Sequence, residues 1–158
     1  MNFIKEFIQS FNFLKGNEKE ILAKDMEKDF HKSYKFIDYY LGGNLSSLSL
    51  SSWQLEELRN DFDFNKWFVG SFILPQFLYG WVTGFMTKYS EKFPQLNIII
   101  EEFQEEAKNF FLLHADKISN YFVNPEVSHL YISCGGNMYH EGKDAGSSYK
   151  GSVKIRRL

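Results

Sequence analysis

Apolar positions recur every three or four residues through most of this chain, and every second residue only near its end. Phe3, Ile4, Phe7, Ile8, Phe11 and Leu14 share one side of a helix predicted over 2–14, with Lys5, Glu6, Gln9 and Asn12 opposite. Gly16 is its stop, and Asn17 with Glu20 has the spacing of a capping box for the next helix. That second helix carries the stripe Leu22, Met26, Phe30, Tyr34, Ile37 and Leu41 and is expected to end at Gly42-Gly43. The serine-rich run that follows reads as a loop pinned to the core by Leu45, Leu48 and Leu50. Ser51 or Ser52 then caps a short helix, and Asp61 or Asp63 caps another. The latter begins near Asn65 and meets Pro75, whose missing N–H is expected to kink or split it.

Lys88 to Phe93 reads as a connection, and Pro94 suits the first turn of the longest helix. Leu96, Ile99, Ile100, Phe103, Ala107, Phe110, Phe111, His114 and Ile118 follow the 3.6-residue period to about Phe122, where Asn124-Pro125 stops it. Beyond this point the grammar changes. His129 to Cys134 is rich in β-prone residues, Gly135-Gly136 reads as a turn, and Ser152 to Arg156 alternates. The fold class expected is mainly α: one domain over 1–158, a bundle of five or six helices in 1–123, and a C-terminal segment 124–158 forming a short β-hairpin or an irregular tail.

Composition supports a packed core more than it supports any chemistry. Aromatic residues make up 18% of the 158, with 17 Phe, which is ample apolar area for burial. One cysteine, Cys134, excludes an internal disulfide and fits a cytoplasmic setting. The first residues have neither the continuous apolar run of a signal peptide nor the arginines of a transit peptide. Trp67 to Thr87 holds 21 residues without a formal charge and a Gly80/Gly84 pair, a length that would cross a bilayer. Pro75, Gln76, Ser71, Thr83 and three glycines dilute it, so it reads as the most buried helix pair of a soluble core, with no stable membrane insertion.

Glu101, Glu102, Glu105 and Glu106 form two i,i+4 like-charge pairs, an arrangement that repels itself unless something basic faces it. Glu56, Glu57, Asp61 and Asp63 make a second acidic group. A bundle di-metal centre would require Glu-x-x-His on two helices, and that spacing is absent. His114 on the apolar stripe reads as a core histidine with a backbone partner. Cys134, His129 and His140 would need a further ligand to hold zinc, and Cys134 reads as a small hydrophobe. Gly135, Gly136, Gly142 and Gly146 do not complete a phosphate-loop pattern, and no dinucleotide, zinc-protease or serine-hydrolase motif occurs. The pattern calls for no cofactor and no metal.

A net charge of −2 gives no general attraction to nucleic acid. Acidic charge instead concentrates between Glu91 and Asp116, which sum to −4, while Lys117 to Leu158 sum to +3. The function expected from these residues is binding rather than catalysis: a small cytoplasmic protein that neutralises a protein partner, such as a bacterial immunity protein facing a basic toxin. Its contact residues would be the eight acids Glu101, Glu102, Glu105, Glu106, Glu56, Glu57, Asp61 and Asp63. One alternative is a ligand-binding or enzymatic pocket lined by Tyr39, Tyr40, Tyr79, Trp81 and His114. The other is a nucleic-acid accessory protein using Lys150, Lys154, Arg156 and Arg157. The pattern sets no oligomeric state.

Overall fold

A computed structural model describes residues 2–9 and 11–158, with the side chains of 4–9 and 11–158. Phe3 therefore lies outside the described side chains. Six helices and no strand occur among the described residues. They are α1, Asn2–Gln9; α2, Glu18–Leu45; α3, Ser52–Asn60; α4, Phe62–Thr87; α5, Leu96–Tyr121; and α6, Pro125–Ser147.

Helix α4 is the centre. Every residue from Phe72 to Met86 is buried, and α6, α5 and α2 surround it while α1 rests on α2. By length and composition α4 is apolar enough to cross a membrane, and 83% of its most apolar stretch is buried inside the fold. Its polar groups are met by its neighbours: Trp81 Nε1 donates to Asp29 on α2 at 2.9 Å, and Tyr79 Oη to Glu106 on α5 at 3.0 Å. Pro75 does not split it into two helices. The turn Phe68–Ile73 just before the proline is π-wound, with Leu74 N–H bonded to Val69 O, so the helix continues past the residue that cannot donate.

The helix starts divide into two kinds. Ser51 and Gln54 form a reciprocal capping box, at 3.2 and 2.9 Å, and Asp61 accepts the Phe64 N–H at 3.1 Å. Asn17 precedes α2 but its side chain makes no cap hydrogen bond: its φ of −80° and ψ of 0° are already helical rather than the extended values of a capping residue. Gly16 does not stop α1, which closes earlier than expected, at Gln9; at φ +60° it sits instead in the turn that leads into α2. Gly42-Gly43 do not end α2: neither is left-handed, and the helix runs on to Leu45, whose side chain packs on the core.

The β-hairpin expected after residue 124 is absent among the described residues. Asn124 accepts the Glu126 N–H at 2.9 Å, Pro125 opens the first turn, and α6 runs 23 residues. The same Asn-Pro pair thus ends one helix and starts the next. Val127, Tyr131, Cys134 and Met138 are buried at helical spacing, and the glycines share the inner side with them. A Cβ on Gly80 or Gly84 of α4 would overlap the carbonyl oxygen of Tyr139 or Lys143. A Cβ on Gly142 or Gly146 of α6 would overlap that of Phe77 or Trp81. The two backbones touch directly, so contact with α4 overrides the β preference of His129 to Cys134. The alternation near the end is real but builds no sheet: Val153 and Ile155 are each 2% exposed and plug an extended tail into the core. Tyr149 anchors that tail, donating to Asp25 on α2 at 2.6 Å.

Candidate functional site

The eight acids named from sequence fall into two patches. Glu101, Glu102 and Glu105 project from the first half of α5 into solvent, and among the described residues no cation pairs with them. Glu106 belongs to the same patch, yet it accepts the Tyr79 hydroxyl; burial first, and then this carboxylate, push the Tyr79 phenol far above its ordinary range. Glu56, Glu57 and Asp63 are exposed on α3 and the start of α4. Asp61 caps α4 and accepts the hydroxyl of Tyr121, the last residue of α5. The patches therefore sit toward opposite ends of α5, about 22 Å apart along its axis at 1.5 Å per residue. Two of the eight residues, Glu106 and Asp61, have internal structural partners.

The first patch gains an apolar component that charge reading missed. Ile98 is 64% exposed, Leu112 55% and Leu113 70%. Positions 98, 102, 105, 109 and 112 recur at helical spacing, so these side chains share the outer face of α5 with the unpaired glutamates. The sequence held the signal: Ile98, Leu112 and Leu113 lie off the stripe that buries Leu96, Ile100, Ala107 and Ile118.

On its inner side α5 meets α4 and α6 around a groove of about 400 Å³. Gln104, Ala107, Lys108 and Phe111 line it from α5, and Gly136, Tyr139, His140 and Lys143 from α6. Gln76 of α4 reaches the same space, is 2% exposed, and leaves its Nε2 without a hydrogen-bond partner. No carboxylate lines this groove.

The pocket expected from Tyr39, Tyr40, Tyr79, Trp81 and His114 does not form. Tyr39 is exposed, Tyr79 and Trp81 are tied to Glu106 and Asp29, and His114 stacks on Phe110 while its Nδ1 lies 2.9 Å from the Phe110 carbonyl. Cys134 is fully buried, and burial pushes its thiol from 9.0 up to about 12, so no thiolate is available as a nucleophile. His129 and His140 are exposed, and among the described residues no three of His, Cys, Asp and Glu converge as metal ligands. The tail cations Lys154, Arg156 and Arg157 meet Lys15 around a hollow that also contains Glu18, too small a charge excess for strong binding to a phosphate backbone. Comparison with family models, curated proteins and solved structures gave no match to this chain.

Proposed function

We propose that the chain is a protein-binding module that holds a basic protein partner against the outer face of α5, in the manner of a small immunity protein neutralising a cationic toxin. The observation that carries this reading is the coexistence of exposed Ile98, Leu112 and Leu113 with unpaired Glu101, Glu102 and Glu105 on one helical face. Unpaired like charges at i,i+4 repel one another in the free protein, and a cationic partner relieves that repulsion. The apolar side chains supply the area that charge alone does not. Glu106 and Asp61 support the fold rather than the contact.

The test begins with affinity capture from source cells and intact-complex mass spectrometry. With the partner in hand, Glu101→Lys, Glu102→Lys and Glu105→Lys together should slow association at least tenfold and flatten its salt dependence. Leu112→Ser with Leu113→Ser should speed dissociation. Unchanged kinetics in both variants overturn the assignment to this face.

A further inference from the structure

We propose that the groove between α4, α5 and α6 binds a small organic anion, an apolar frame carrying a carboxylate or phosphate group. This site is independent of the outer face of α5. Gln76 motivates it: its Nε2 is the one buried side-chain nitrogen or oxygen without a partner among the described residues. Such a group is costly to bury, and the other polar side chains of α4 show how readily this fold satisfies its own, with Trp81 on Asp29 and Tyr79 on Glu106. The carboxamide of Gln76 turns about a broad terminal torsion, so it can present its N–H groups to an acceptor in the groove.

The surroundings specify the rest of the ligand. Lys108 stands on the α5 wall and Lys143 on the α6 wall, with His140 beside the latter, and no carboxylate lines the groove with them. An anion is favoured there by the same rule that disfavours a cation. Phe111 gives an apolar surface for the frame. Gly136 keeps the space open, since a Cβ built on it meets nothing within 4 Å. A volume of about 400 Å³ lies in the range of small-molecule sites.

The experiment uses the ¹⁵N-labelled full chain titrated with 2-naphthoate, 1-naphthyl phosphate and the neutral 2-naphthalenemethanol. Either anion should shift the Gln76 side-chain amide and the Gly136 backbone amide, with the alcohol at least tenfold weaker. The stronger of the two anions identifies the head group. Lys108→Glu with Lys143→Glu, or Gln76→Met, should each weaken the anion at least tenfold. Gly136→Leu should fill the groove and abolish the Gln76 shift while the remaining spectrum stays folded. Equal binding of the neutral alcohol, undiminished affinity in Gln76→Met, or no Gln76 shift up to about 1 mM of any probe overturns the proposal.

Discussion

Helix α6 presents glycine to two neighbours with opposite results. Toward α4, Gly142 and Gly146 let the backbones touch, each lying over a carbonyl oxygen of Phe77 or Trp81. Toward α5, Gly136 faces open space at the edge of a groove whose floor holds an unpartnered amide. The first side is closed so tightly that no side chain fits between the helices, and the second is left unfilled. The backbones meet where both helices omit a side chain, as α4 does at Gly80 and Gly84, while at Gly135 the ring of Phe72 fills the space instead. Facing the longer side chains of α5, the same omission makes a cavity.

The largest effect that would break this contrast is steric. Gly142→Val should lower stability by about 3 kcal/mol or more in urea unfolding, because its Cβ has only backbone to displace. Gly136→Ala should instead raise it by about 0.5–1 kcal/mol, as a helix gains alanine in open space. Similar losses in both variants would show that the two sides do not differ.

The closed side also carries a pH signature. Cys134 goes from 9.0 to about 12 and Tyr131 from 10.0 to about 12, both chiefly by burial. Raised values mean that the unfolded chain loses these protons first, so their contribution is complete below pH 9 and is lost as pH climbs toward 12. Cys134→Ala removes one of the two groups. Above pH 9, its stability in denaturant titrations should fall less steeply than that of the unmodified chain, by about 1.4 kcal/mol per pH unit. Parallel curves would place Cys134 in contact with water.

On the open side, Gln76→Met should raise the stability of the free protein by about 1–2 kcal/mol, since it removes an uncompensated buried amide. A loss of stability would indicate that Gln76 already has a partner in solution. The smallest effect belongs to the exterior. Charge reversal at Glu101, Glu102 and Glu105 should move the unfolding free energy by no more than about 0.5 kcal/mol, although it alters partner binding. A larger shift would give those glutamates a structural role like that of Glu106.

Local rules read well where a side chain acts on its own backbone. Ser51 with Gln54, Asp61 ahead of Phe64, and the apolar stripe of α5 all follow from spacing and hydrogen-bonding capacity. They read badly at glycine. Gly42, Gly43, Gly135 and Gly136 have the form of breaks, and all four lie inside helices. Among the described residues only Gly16, at φ +60°, uses the left-handed freedom of glycine, and it does so in the turn before α2. The candidate sites show the same division. Charge at Glu101, Glu102 and Glu105 was legible, but the roles of Glu106 and Asp61 depended on Tyr79 and Tyr121, distant in sequence. Gln76 stood out in the sequence only as a polar residue in an apolar run, and its lack of a partner exists only once three helices surround it.

By itself the sequence determined that the chain is mostly helical, that Trp67 to Thr87 supplies the most buried segment, and where several helices begin. Those properties depend on periodicity and on groups within a turn or two of one another. Tertiary structure decided the state of residues 125–147, which carry β-prone side chains and four glycines and become helix by lying against the glycines of α4. It also decided the groove, because a cavity is a property of what three helices leave unfilled between them.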